Sequence, residues 1–483
     1  MKRKLVALLM AAVLVTSSLL IVGCGSNEPA ATPTPAATPA PPVAATPTPT
    51  PEATPEPEVV RDLGGMQIVI GNWWGYYDTD TFEPTTAQAE ARLEDRIYVE
   101  QRYNFRVREV RMGGWGEVRD MIPVELAAGS RDVHVWIMQP DWFATVNANN
   151  LLAPIPMQYF TSESVRTDWM FGAIDGTMRG GDAHGWATGV MEGGGVYFNM
   201  RLLEEAGIDP ELPFDLQMRG EWTWDAFLDL LHQTTRDVDG DGIPDTWGMA
   251  TFSSDLLERT LASNRAMYIG QDAYGRFTNE TITPEFLQAL SWANDLQDQG
   301  VLQPQPEGSE WNFFIDSFNN AEVAFRVAGG YVAGAQINPN LDDPWGFVHF
   351  PIGPNSNRPY FMGNANLNAI PVSFTAEEVS DIMFAINQWG RPLPDFDDPD
   401  AWMAGAFTAH YHPRSVEETM ALFTRNPDNH VAALHGLVPG GLPTRIGPLF
   451  AWRLWNDNES AAIVEEAQPE WLEYLARGNG EID

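Results

Sequence analysis

From Met66 onward apolar residues recur with a period near two or near 3.6, whereas the first sixty residues follow neither. Met66-Gln67-Ile68-Val69-Ile70 reads as a short apolar strand, and Ala89, Leu93 and Ile97 at helical spacing predict a helix over Thr86 to Tyr103. Phe105 to Val110 alternates as a second strand. A helix from Trp115 to Ala128 that stops near Gly129 leads into a third strand, Asp132 to Ile137. Strand, helix, strand, helix, strand is the opening of an open, twisted α/β sheet. Further on, Arg201 to Ala206 is closed by Gly207, Thr223 caps a helix running to about Thr234, and Pro284 starts another that Gly300 ends. Roughly 420 residues of this kind are too many for one core, so two lobes are expected. No internal repeat is visible.

The first sixty residues carry a different message. Lys2, Arg3 and Lys4 precede an apolar run from Leu5 to Val22, and Gly23 supplies a small residue before a cleavage point, so residues 1–23 read as an export signal. Cys24 is the only cysteine in the chain and stands directly after it. The stretch Leu20-Ile21-Val22-Gly23-Cys24 resembles a bacterial lipobox, which implies a diacylglyceryl group on the Cys24 thiol and a pair of acyl chains that hold the protein on a membrane. The alternative is an uncleaved anchor, because the apolar run is long enough to span a bilayer. Residues 24–62 then form a linker: Pro29 to Pro57 is nearly all Ala, Thr, Pro and Glu, with no large apolar residue to bury. Extended as polyproline II, some thirty such residues reach about 90 Å at about 3.1 Å each.

Composition removes whole classes of chemistry. Lys2 and Lys4 are the only lysines, so the exported body has none, and Schiff bases, Walker-type phosphate lysines and lysine bases are excluded. With Cys24 acylated there is no free thiol for catalysis, metal binding or disulfides. The formal charge of −38 becomes three units more negative once the leader is lost. Such a field repels nucleic acid and anionic ligands and favours a neutral or cationic one, although an acidic, lysine-free surface also suits a saline habitat.

Several segments in order carry a family resemblance. They are Asn72-Trp73-Trp74 after the first strand, Ser130-Arg131-Asp132-Val133-His134-Val135-Trp136, and Gly195-Val196-Tyr197-Phe198-Asn199 followed by Leu202 to Ile208. Then come Trp222-Thr223-Trp224-Asp225, Phe318 to Phe325 with Gly329-Gly330-Tyr331, and Asn366-Leu367-Asn368-Ala369-Ile370-Pro371. With these landmarks the chain resembles the maltose-binding-protein-like solute-binding proteins of bacterial ABC sugar importers over nearly everything from Met66 onward. The resemblance implies two α/β lobes with a ligand cleft between them, in the periplasmic-binding-protein fold. Lobe 1 would take 63–190 and 364–405, and lobe 2 would take 191–363 and 406–483.

Inside that frame the eighteen tryptophans acquire meaning. An indole stacks on the C–H face of a pyranose and its N–H reaches a hydroxyl, although most tryptophans in any chain are core or rim. Asn72, Trp73 and Trp74 follow the first strand, at the carboxyl edge where open sheets bind ligands. Asp141 and Trp142 lie just past the third strand, where the family often supplies a carboxylate to sugar hydroxyls. Tyr331 stands where maltose-binding protein has a stacking tryptophan; Asn366 and Trp452 complete the expected cleft set.

Asp237-Val238-Asp239-Gly240-Asp241-Gly242-Ile243-Pro244-Asp245 is the sharpest local motif. Asp237, Asp239, Asp241 and Asp245, with the Ile243 carbonyl, match most of the oxygen ligands of an EF-hand-type loop, and four carboxylates this close repel unless a hard cation such as Ca2+ neutralises them. Gly248 replaces the bidentate Glu, so the expectation is a structural calcium site; a solvated acidic turn is the alternative.

An enzyme has less support. A glycoside hydrolase needs two carboxylates, which 66 acidic residues supply without information. Glu192 fits an interlobe hinge better than catalysis, and His410-Tyr411-His412 reads as a surface loop rather than a metal site. The expectation is therefore a lipid-anchored, monomeric, extracellular or periplasmic receptor, not an enzyme. It binds a neutral carbohydrate, an oligosaccharide by preference, and presents it to ABC permease subunits. A secreted hydrolase and a sugar sensor without transport are the rivals.

The tether is testable by itself. Cys24→Ala is expected to release the protein from the membrane fraction, read by fractionation and immunoblot. A variant that stays bound with its signal intact has a helical anchor instead.

Overall fold

The computed structural model describes residues 61–160, 177–179, 181–187, 193–272, 276–363, 366–391, 393, 402–438, 442–456 and 459–482. The expected signal, Cys24, the Pro-rich linker and Glu192 lie outside these residues. From Val59 the chain forms one compact unit, and two large hydrophobic clusters organise it.

The first cluster is built on a five-stranded sheet in the order Leu367–Ala369, Val135–Met138, Met66–Asn72, Phe105–Arg111, Tyr77–Asp78. Its three inner strands run parallel, and the two edges are antiparallel. Local sequence explains the first crossover. The Thr86 side chain accepts a hydrogen bond from the Ala89 N–H at 3.1 Å and starts the helix Ala87–Tyr103. Asn104, in the left-handed region at φ 53°, ends it and turns the chain into the next strand. The third strand begins later than its alternation suggests, at Val135 instead of Asp132. Arg131 donates to the Ser373 carbonyl and pairs with Glu378, which ties the residues ahead of the strand to the helix Ala376–Trp389, while the His134 N–H already bonds the Val69 carbonyl of the sheet.

The second cluster surrounds a four-stranded sheet in the order Trp345–His349, Gly194–Asn199, Val323–Gly329, Trp247–Met249. Strand Gly194–Asn199 is buried along its whole length and runs antiparallel to both neighbours. Only glycine fits at its start: a Cβ on Gly195 would lie 2.1 Å from the Val348 carbonyl oxygen. The helices Trp224–Thr234, Ser253–Ser263 and Pro284–Asp295 cover the sheet, with Thr223 and Thr283 as N-caps. The last of these stops before the expected Gly300; Leu296 to Gln299 continue as turns to Gly300 at φ 67°.

Contributions to the first cluster come from the chain up to Ala187 and again from Leu367 to Trp389. The helix Trp402–Ala409 packs on Ala333–Ile337 and Ser415–Met420, and Asn338 donates to the Thr408 carbonyl at 3.2 Å. His410-Tyr411-His412 is a bend with Tyr411 exposed, as expected of a loop, but its histidines turn inward: His410 is buried, and His412 stacks on Phe214 at 4.9 Å beside the Arg414 ion-pair cluster.

His349 closes the strand Trp345–His349 deep in the second lobe. Its Nδ1 donates to the Phe350 carbonyl at 2.7 Å, and burial pulls its pKa down to about 4, so the folded protein holds it neutral. The unfolded chain binds a proton near pH 6.5 that the folded one refuses until about pH 4. Stability should therefore fall as pH drops through that window, by about 3 kcal/mol from this residue. Urea midpoints of the protein and of His349→Gln, measured from pH 7 to pH 4, should converge on the acid side; parallel curves would assign the acid loss to other groups.

Candidate functional site

Asn72 ends the first strand and sets the geometry of the sheet edge. It is fully buried, and its Oδ1 accepts the backbone N–H groups of Trp74 and Gly75, both at 3.0 Å. This turn throws Trp73 and Trp74 outward from the carboxyl end of the sheet. Trp73 meets Trp74 edge-on at 4.7 Å and Trp142 at 4.9 Å; Trp142 in turn meets Trp115 at 5.4 Å. Four indoles thus form a run along the edge. Trp142 is 5% exposed and belongs to the core, while Trp74 and Trp115 stand in solvent. Asp141 lies in the first turn of the helix Pro140–Ala148. Burial pushes its carboxyl pKa up against the pull of the local N–H groups and of Arg119.

Across from Trp115 and Arg119 lies a cavity of 1220 Å³, walled mainly by the second lobe. Its aromatic lining includes Trp311, Phe313, Phe314 and Trp452. Trp311 is 66% exposed and Trp452 56%, although both line a concave surface. Indoles left open in this way are expensive in a plain surface and useful in a binding cleft. Trp452 lies flat over Gly447, where a Cβ would come within 2.5 Å of the ring. The polar lining includes Glu258, Tyr268 and His435.

Of the residues expected to bind ligand, Trp452 lines this cavity. Trp73, Trp74, Asp141 and Trp142 cluster at the neighbouring sheet edge, joined to the cavity through Trp115 and Arg119. Tyr331 stands exposed beside Gly329, and Asn366 is exposed just ahead of the strand Leu367–Ala369; neither lines the cavity. Sequence reasoning missed Trp115, Trp311, Glu258, Tyr268 and His435. Trp311 had a signal, a lone indole between polar residues in Ser309-Glu310-Trp311-Asn312. Glu258 had none, since an acid among leucines reads as the wet face of an amphipathic helix.

The acidic loop folds on itself. Asp237 accepts from the N–H groups of Gly240 at 2.6 Å and Gly242 at 2.8 Å, and Asp245 accepts from that of Val238 at 2.6 Å. Carboxylate oxygens of Asp237, Asp239 and Asp245 lie within 4.8 Å of one another, all exposed. Asp241 is not in that group; its carboxylate accepts from the Ile243 N–H at 2.8 Å. Three hard oxygen donors so close, with no cationic side chain bonded to them among the described residues, fit a hard divalent cation.

A sequence profile of the family described as bacterial extracellular solute-binding protein matches residues 83–376. No curated protein sequence is significantly similar to the chain. Solved structures share its fold. The cyclic alpha-maltosyl-1,6-maltose binding protein of Arthrobacter globiformis matches with TM-score 0.60 at 15% identity, over 86% of this chain and 100% of that one. UgpB of Mycobacterium tuberculosis, in complex with glycerophosphocholine, gives 0.59 at 16%, over 86% and 100%. An ABC transporter solute-binding protein of Thermotoga lettingae, bound with alpha-D-tagatose, gives 0.57 at 15%, over 85% and 99%. Likeness at this identity establishes the mixed α/β, two-lobed architecture and leaves the ligand to the site itself.

Proposed function

The chain belongs to the bacterial extracellular solute-binding proteins, and from that premise we propose that it is the tethered receptor of an ABC importer for a neutral oligosaccharide. Membership of a solute-binding family makes it a binding protein and not an enzyme, so the hydrolase reading falls away. One observation carries the ligand class: a 1220 Å³ cavity flanked by open indoles, Trp115, Trp311 and Trp452. A cavity of that size accommodates more than one sugar ring, and aromatic faces with few charges suit C–H surfaces and hydroxyls. Relatives of the same fold include proteins named for bound saccharides. Ligand binding closes the lobes, and the closed form docks on the permease. Acylated Cys24 and the linker of residues 24–62 hold the receptor at the membrane while its body searches the space above.

The acidic loop is assigned a structural Ca2+ site held by Asp237, Asp239 and Asp245, with Asp241 and the Ile243 carbonyl as the remaining oxygen donors of the motif. Its role is to fix the turn that leads into the strand Trp247–Met249.

Two expected outcomes test these assignments. In a broad panel of neutral mono- and oligosaccharides, at least one should shift tryptophan emission, compact the protein in solution scattering, and be recovered chemically unaltered. Trp452→Ala should weaken that binding by about 1 to 3 kcal/mol with the fold intact. Trp142 behaves differently from the other aromatics, because its indole is core: Trp142→Ala should lower stability by about 3 to 5 kcal/mol. A panel without any binder, or a sugar returned hydrolysed, rules the receptor out. For the loop, a chelator should lower the melting temperature and excess Ca2+ should restore it by mass action. An identical melting curve with and without chelator, in protein free of calcium, leaves a solvated acidic turn.

A further inference from the structure

The cavity has a polar end that nothing in the protein uses. Glu258 sits on the helix Ser253–Ser263, whose other charged groups are engaged: Arg259 binds Asp255 one turn earlier at 2.9 Å. Leu256, Leu257 and Leu261 on the same helix are fully buried in the second core, while Glu258 lines the cavity. Tyr268, 1% exposed, and His435, 7% exposed, line the same space with their rings edge-to-face at 5.3 Å. The Tyr268 ring is wedged against Phe286, Phe450 and Trp471, so it cannot swing away from this position.

No hydrogen bond or ion pair engages the Glu258 carboxylate, the Tyr268 hydroxyl or the His435 ring nitrogens among the described residues. Three polar groups that line one cavity without protein partners, on the helix Ser253–Ser263, on the turn after it and on the distant segment around His435, leave their hydrogen-bonding capacity to whatever fills that space. Polar atoms in a folded protein find a partner nearly everywhere, and those that face a cavity take it from water or from a ligand.

Their charge states are set by the same enclosure. Glu258 is partly buried where it lines the cavity, and the protein around its carboxyl pushes its pKa up, opposed by Arg259 and reinforced by Asp255. His435 is pulled down to about 4 and stays neutral; burial, with Glu258 nearby, keeps the Tyr268 hydroxyl protonated. Among the described residues the only other charged side chain of the cavity lining is Arg119, across the space from the second lobe. An anionic group placed at the polar end would therefore meet Glu258 without a cation turned to receive it.

We propose that Glu258, Tyr268 and His435 form a hydrogen-bonding floor that anchors the buried end of the ligand, admitting sugar rings that offer hydroxyl donors and rejecting rings that carry a carboxylate or phosphate. The inference rests on the receptor reading and deepens it by assigning the specificity-determining side chain, Glu258. Its carboxylate accepts from hydroxyls of the terminal ring; Tyr268 and His435 complete the polygon with one donor each.

The test compares the native protein with Glu258→Gln and Tyr268→Phe. Calorimetric titration uses each neutral panel saccharide that binds, together with the same saccharide oxidised at its terminal C6 to a uronate. The native protein should prefer the neutral form at least tenfold. Glu258→Gln should bind the neutral form at least tenfold more weakly and narrow the preference. Affinity of the native protein should fall toward acid pH, beginning above the ordinary carboxylate range, because a protonated Glu258 no longer accepts from two hydroxyls, and the slope should vanish in Glu258→Gln; His435 charges only near pH 4. A readout without ligand guards against a structural role. The melting temperature of Glu258→Gln should rise, since an amide is easier to bury than an unpaired carboxylate, and a fall would show that the carboxylate has protein partners and overturn the proposal. Equal affinities of the native protein and Glu258→Gln also overturn it while leaving the receptor standing; a native protein that binds no saccharide brings down both.

Discussion

The strand Leu367–Ala369 is the constraint on which the architecture depends. More than two hundred residues after the first sheet is laid down, the chain returns and pairs antiparallel with Val135–Met138, Leu367 opposite Met138 and Ala369 opposite Trp136. Asn368, buried, secures the return by donating to the Trp186 carbonyl at 3.1 Å. Without this closure the first sheet would have Val135–Met138 as an open edge, and the helix Ala376–Trp389 would have no core to cover. With it, the intervening chain becomes an inserted second lobe, and the carboxyl edge of the first sheet faces a space that the second lobe walls. The cavity is a consequence of that topology before any residue in it is specified.

Electrostatics within the body depend on arginine alone. Arg391 holds Asp95 at 2.5 Å, Arg201 holds Asp343 at 2.9 Å, and Arg414 gathers Glu211, Asp215 and Glu418. Planar guanidinium groups bind carboxylates two-pronged and also lie over rings, as Arg96 lies over Trp389 at 3.4 Å to its centroid. Arg326 is fully buried behind the cavity wall, over Phe314, with Gln336 as its hydrogen-bond partner at 2.5 Å. The scarce cations are thus committed to structural pairs, and most of the acidic surplus faces water. That division leaves Arg119 as the one arginine among the described residues of the cavity lining, in a protein whose outer field already discourages anions.

The sequence made several element boundaries in both lobes legible, because those boundaries are set by capping residues beside them in the chain. Thr86, Asn104, Thr223 and Thr283 mark boundaries that local chemistry decides, and the structure places them where capping requires. What sequence could not show was decided at long range. Arg131 reaches Ser373 and Glu378, some 240 residues away, a pairing that no local pattern announces. His410 lies in the expected loop, yet its ring is core, because its neighbours Trp345 and Phe347 arrive from another segment. The cavity residues failed for a related reason: His435 lies more than 160 residues from Glu258 and Tyr268, and each alone looks like an ordinary helix acid, core ring or core imidazole.

A polar floor without partners has an energetic meaning that extends to the working cycle. A polar group shut away from water without a partner costs about 1 to 3 kcal/mol relative to the same group bonded, and the floor groups escape that cost while the cavity admits water. In the absence of ligand that cost weighs on any arrangement of the lobes that shuts water out of the cavity, and hydration is recovered when the space opens. A ligand that supplies the missing donors removes the cost only in the enclosed arrangement, so its affinity for the two arrangements differs by about the sum of the restored bonds. Differential affinity of that kind is what shifts a conformational equilibrium; tight but indifferent contacts do not. The open indoles at the mouth can hold a saccharide in either arrangement, whereas the floor rewards enclosure alone. Aromatic capture and polar closure are then separate functions of separate residues in one cavity.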